Sequence, residues 1–189
     1  MKRGTLLLSA VLACVGRPAA AQEACKPVQL KNPAPTLTEF YAMAEKHAKA
    51  WKGDAVPARV TNTSLGPLQP NGSAAAWDAK FYSPQADSHV GITTFRGTLT
   101  CWAQKGDAGR MPDLKAGLFR DGAALYALAK QHGGEFIGQG YTVSIGTAAS
   151  PRDNSAAWYI NYEKEGGKDA PLSVIVDANT GKLKTVMKH

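Results

Sequence analysis

Apolar positions along the chain follow two rhythms, a helical one near 3.6 and a strand-like one of 2, and they occur in the same order twice. Leu37, Phe40, Tyr41, Ala44, Ala48 and Trp51 repeat at helical spacing and form one apolar face about four turns long. Thr36, with Glu39 three residues on, makes a capping box at its start, and Gly53 and Pro57 stop it. A second, shorter helix is predicted from Asp121, with Leu125, Leu128 and Ala129 on one face and its end at Gly133-Gly134. Strand patterns follow each helix: 56–65, 75–82 and 90–95 after the first, and 140–146, 156–163 and 172–177 after the second. The last of these runs past a turn into 182–187. Within 156–163, Trp158, Ile160 and Tyr162 alternate with Tyr159 and Asn161, as a strand with one buried face requires. Residues 69–72 and 150–155 are polar loops, and 84–88 and 165–169 are hairpin loops.

Set against itself, the chain matches in three blocks. Phe40-Tyr-Ala-Met-Ala-Glu-Lys-His47 falls on Leu125-Tyr-Ala-Leu-Ala-Lys-Gln-His132, and the same offset of 85 puts Thr36 on Asp121, both good N-cap residues. Ala75-Ala-Trp77 falls on Ala156-Ala-Trp158, and 90–99 falls on 174–183. The expected fold is α+β: two tandem units, each one helix packed on a three- to four-stranded antiparallel sheet. The units occupy 36–102 and 119–189, after an N-terminal arm at 22–35 and on either side of a Gly- and charge-rich connector at 103–118. Joining the two sheets would hide one exposed edge per copy, a physical reason to favour it that the pattern itself does not decide.

Residues 1–21 are set apart as a signal peptide. Lys2 and Arg3 precede an apolar run over 5–15, and Pro18-Ala-Ala-Ala21 offers a small-residue cleavage site. A competing reading is lipid attachment at Cys14 within Val11-Leu-Ala-Cys14. The run is shorter than the roughly 20 residues a membrane span needs, so the expectation is an exported protein, periplasmic or secreted, without a transmembrane segment. Removing the leader lowers the formal charge from +7 to +4 (19 basic against 15 acidic residues), spread along the chain. Export and this diffuse charge argue against nucleic acid as a partner. Cys25 and Cys101 remain, an even pair in an oxidising compartment and therefore a candidate disulfide. The alternative is a buried thiol at Cys101 and an exposed one at Cys25.

The second copy resembles a PepSY domain through Leu125-Tyr-Ala-Leu-Ala, Tyr141-Thr-Val-Ser-Ile, Trp158-Tyr-Ile-Asn-Tyr and the closing Val176-Asp-Ala-Asn-Thr-Gly-Lys-Leu183. The first copy departs from it, with Thr93-Thr-Phe-Arg-Gly97 in place of Asp177-Ala-Asn-Thr-Gly181. The resemblance implies a non-catalytic exported module of the kind found in protease propeptides and envelope proteins and proposed to inhibit peptidases. By architecture alone, tandem helix-plus-sheet units also resemble exported inhibitors that clasp a hydrolase in a concave sheet.

Candidate chemistry is sparse. Asp177, Asn179 and Gly181 have the spacing that opens a calcium loop, but Lys182 and Lys184 follow and no bidentate Glu closes it, so a tight turn is expected instead. His47 and His132 take equivalent places near the ends of their helices, where partial positive charge suits the helix dipole. Glu163 and Glu165 bracket a hairpin loop, and Gly138-Gln-Gly140 is too short for a phosphate loop. The pattern assigns no catalytic residue, metal ligand or cofactor. Trp77 and Trp158 are expected in the core, with Trp77, Trp158 and Tyr159 as candidate partner-binding aromatics. The function expected is a non-catalytic binding module whose partner is another exported or envelope protein, such as a peptidase or other hydrolase that it inhibits or regulates. The alternative is a periplasmic sensor of a small ligand or metal, with the sheet face or the Asp177 turn as its site.

Overall fold

Helix α1 (Leu37–Trp51) begins where the capping box places it. Thr36 Oγ1 accepts from Glu39 N at 3.3 Å, and the Glu39 carboxylate accepts from Thr36 N at 2.8 Å. The computed structural model describes residues 22–62, 65–106, 117–164 and 170–189. The leader with Cys14, most of the connector and the 165–169 loop with Glu165 lie outside the described residues. The remaining elements are β1 (Gln22–Gln29), β2 (Val56–Asn62), β3 (Ala76–Ser83), β4 (Ser88–Phe95), β5 (Thr98–Lys105), α2 (Gly122–Gly138), β6 (Thr142–Ala149), β7 (Ala156–Glu163), β8 (Leu172–Asp177) and β9 (Leu183–Lys188).

The expectation of two tandem units, each one helix on a three- to four-stranded sheet, is overturned. The strands form one nine-stranded antiparallel sheet in the order β1-β5-β4-β3-β2-β6-β7-β8-β9. The physical reason lies at the β2–β6 seam, where side chains carry much of the bonding. Thr61 pairs with Gly146. Asn62 Oδ1 accepts from Ile145 N at 2.6 Å, and Thr147 Oγ1 accepts from Val60 N at 2.8 Å. Thr61 Oγ1 lies 2.8 Å from Ile145 O, and Leu68 N donates to Val143 O at 2.9 Å just beyond. Each group would otherwise be an unpaired polar atom on a sheet edge. Asn62→Ala strands the buried Ile145 N–H and is expected to lower stability by about 1–3 kcal/mol. Urea unfolding measures this, and an Asn62→Ala/Thr147→Val double variant as stable as wild type would mean that something else holds the seam.

Both helices lie on one face of the sheet. Phe40 of α1 stacks on Trp77 at 5.6 Å, and Tyr41 packs on Phe81. Phe136 of α2 packs on Tyr162, whose hydroxyl donates to Ala129 O at 2.7 Å. Cross-strand pairing keeps Trp77, Asn62, Thr147 and Trp158 on the same side, so one core runs beneath both helices. The two tryptophans do the same work twice. Trp77 Nε1 donates to Pro35 O at 2.9 Å and Trp158 Nε1 to Phe119 O at 3.0 Å, tying the chain just ahead of each helix to the sheet.

Three local expectations change. The arm is a strand, β1, laid on β5. Strand β5 follows β4 through a tight turn in which Arg96 and Gly97 both have positive φ. Helix α2 runs on past Gly133-Gly134 to Gly138, with Gly133 out of helical geometry. A Cβ on Gly133 would sit 2.3 Å from the Tyr162 ring, so the glycine bends the helix around that ring rather than ending it. His132 is therefore mid-helix, and its buried Nε2 has no hydrogen-bond partner among the described residues.

Both outer edges are blunted. Strand β1 carries Lys26 and Pro27 and two register shifts against β5, and β9 carries Lys184 and Lys188 and one shift against β8. Charge, proline and irregularity of this kind discourage further strand addition.

Candidate functional site

The face of the sheet away from the helices is built by alternation. Where Leu99, Cys101 and Ala103 point toward α1, Thr98, Thr100 and Trp102 point to the open side, and the neighbouring strands add Lys80, Asp78, Gly91, Thr93 and His89 in register. Trp102 lies across Gly91, where a Cβ would come within 2.2 Å of the indole. Only glycine lets the ring lie that close to the sheet. The His89 ring meets Trp102 edge-on at 5.6 Å, and Lys80 Nζ stands 5.5 Å from its ring centre. The indole is half-buried, its cationic neighbour held by the ring face. Beside this group Arg59 pairs with Asp78 at 3.3 Å and Thr93 with Thr100 at 2.8 Å.

In the second half of the same face Tyr159 stands between Gly146 and Ile175, its hydroxyl donating to Ala149 O at 2.9 Å. Burial pushes its pKa above the usual phenol value despite Lys184, which keeps it a neutral donor. Ser144 bonds the Glu163 carboxylate. Ser173 Oγ donates to Asn161 Oδ1 at 2.7 Å and lies 2.8 Å from His189 Nε2.

The residues singled out from sequence separate. Trp77 and Trp158 are 1% and 0% exposed, under the helices and out of reach of a partner. Tyr159 is on the open face. Cys25 and Cys101 are bonded to each other. Asp177, Asn179 and Gly181 form the β8–β9 turn. Asp177 Oδ1 accepts from Asn179 N, Thr180 N and Thr180 Oγ1 at 3.0, 2.8 and 2.9 Å, and Gly181 takes φ +71°. Partial burial opposes the Asp177 charge, but the bonds from Thr180 and Asn179 and the field of Lys184 outweigh it and hold its pKa below the ordinary value. One oxygen of the Asp177 carboxylate is thus engaged by the turn.

Sequence reasoning missed Trp102, because it missed β5. The signal was present in Thr98-Leu-Thr-Cys, which alternates small polar and apolar residues without a β-branched aliphatic before Trp102 breaks the pattern. It also missed His47 against the disulfide, a contact between a helix and two distant strands. Cavities flank the helices among the described residues. One of about 410 Å³ lies at the start of α1, with Leu30, Pro35 and Met43 in its wall; one of about 360 Å³ lies between α2 and β8–β9, with His132, Phe136, Leu172 and Val186. No described helix is long and apolar enough to cross a membrane, and the disulfide is compatible with an oxidising, exported location. Comparison with protein families, with curated proteins and with solved structures returned no match.

Proposed function

We propose that this chain is an exported, non-catalytic binding module that engages another envelope protein across the face of its sheet opposite the two described helices. The observation that carries the proposal is Trp102, a half-buried indole laid across Gly91 between Lys80 and His89 in a face that no described helix covers. Tryptophan seated in such a setting is the residue type most often found at the energetic centre of an interface. The area is adequate. Nine strands at about 4.8 Å spacing and about 20 Å of usable length give roughly 800 Å², close to what one partner contributes to a standard interface. The partner class that the PepSY-like stretch favours is an exported peptidase or other hydrolase, held and regulated rather than processed.

Trp102→Ala tests the reading. Wild-type protein immobilised in envelope extract should retain a partner that Trp102→Ala releases, with affinity weakened about 30-fold for a loss of about 2 kcal/mol. A thermal melt of the variant checks that the sheet survives. Equal retention by the two proteins, or no partner at any salt concentration, would discard the reading.

A further inference from the structure

One cluster lies at the rim of the core, on the side of the sheet away from the open face. Cys25 of β1 and Cys101 of β5 face each other across an antiparallel pair and are bonded, with Cα atoms 5.2 Å apart. The imidazole of His47, about one turn from the end of α1, lies with a ring nitrogen within 4.8 Å of both sulfurs. Cys25 and His47 are partly exposed and Cys101 is buried, so the group is open to solvent from one side. The helix dipole accounts for a histidine near a helix end but not for its meeting both cysteines.

We propose that Cys25, Cys101 and His47 become a three-ligand site for a soft monovalent cation, Cu(I) in chemical class, once the disulfide is reduced. In the bonded form the sulfurs are poor donors, because the thiolate is the metal ligand. A dithiol reductant supplies two electrons and two protons, leaving as its own disulfide while Cys25 and Cys101 become thiols. Cation binding then releases those two protons as two sulfur–metal bonds and one nitrogen–metal bond form. The sulfurs must part, and the imidazole must close, to the roughly 3.5–4 Å that separates ligand atoms around one metal. The side chain of Cys25, on the outer strand, has the freedom to make that adjustment.

The ligand set favours a soft ion. Two thiolates and an imidazole suit Cu(I). Zinc on these three ligands would need a water as its fourth, which makes it the competing ion in the titration, whereas calcium and magnesium want oxygens that this cluster lacks. The consequence is a staple with two forms. Covalent in the oxidised chain and metallic in the reduced one, it holds β1 to β5 in both and in the second also clamps the end of α1. The inference is independent of partner binding.

The test uses the full chain carrying Cys14→Ser, so that only two thiols are present. Reduced and desalted without oxygen, it is titrated with Cu(I) against a chromophoric Cu(I) chelator, and melted with and without the metal. One Cu(I) per chain should leave the chelator and raise the melting temperature, while the oxidised chain takes none. His47→Ala should bind at least tenfold more weakly, with its oxidised form melting as the parent does. A reduced chain that leaves the chelator loaded would overturn the proposal. So would a Cys25→Ser/Cys101→Ser double variant that binds as well as the reduced parent, or equal affinity in His47→Ala.

Discussion

Replacing Trp158 with alanine is expected to remove about 3–5 kcal/mol of stability, the range for truncating a fully buried large aromatic. The side chain is 0% exposed at the centre of β7, and its indole N–H donates to Phe119 O ahead of α2. Truncation therefore opens a cavity and strands a carbonyl at the point where the chain turns into the helix. Trp77→Ala should cost a similar amount for the same two reasons, through Pro35 O and the stack with Phe40. For a chain of this size about 3–5 kcal/mol corresponds to roughly ten degrees or more in melting temperature. Tyr159→Ala is the control. One position along the same strand but on the open face, it should cost about 1 kcal/mol, the scale of a hydrogen bond and partial burial. Urea unfolding of the three variants separates the outcomes. A loss below about 1.5 kcal/mol for Trp158→Ala would mean the core does not rest on that anchor.

The contrast between Trp158 and Tyr159 also marks what the sequence made legible. A period of 2 tells two faces of a strand apart, so the burial of Trp158, Ile160 and Tyr162 is written in the alternation of residues alone. The Thr36–Glu39 capping box was legible because capping is local. The end of α2 was not. Gly133 looks like a stop in sequence, and only the Tyr162 ring that fills its Cβ position shows it to be a bend. The joining of the strands into one sheet was hidden for another reason. The seam is made by Asn62, Thr61 and Thr147, polar residues whose pattern fits an exposed edge as well as a paired one, and what pairs them is contact across more than eighty residues. The candidate site depended on the same long-range information. Gly91 becomes a seat for an indole only when β5 is placed beside β4.

The disulfide carries the second large effect. Its sequence separation of 76 residues implies about 4 kcal/mol of stabilisation in the chain-entropy model, so reduction should lower the melting temperature by roughly ten degrees. The loss should be local before it is global. Among the described residues strand β1 joins the sheet only along β5; it carries Pro27, which donates no backbone hydrogen bond, and is displaced in register on both sides of Cys25. Its own ladder is thus weak, and the covalent bond holds it in place. Hydrogen exchange on the reduced chain should show the amides on the β1 side of β5 exposed first, while Trp77 and the β2–β6 seam stay protected. The two cysteines should also differ under substitution. Cys25→Ser loses the bond and places a hydroxyl where water can reach it. Cys101→Ser loses the same bond and buries the hydroxyl at a site 4% exposed, beside Ile92, so it should be the worse by about 1–2 kcal/mol. Equal losses for the two, or a reduced chain whose β1 and β5 amides exchange no faster than those of the seam, would show that packing alone holds the strand. In that event β1 would stand as an ordinary member of the sheet rather than an arm fastened to it.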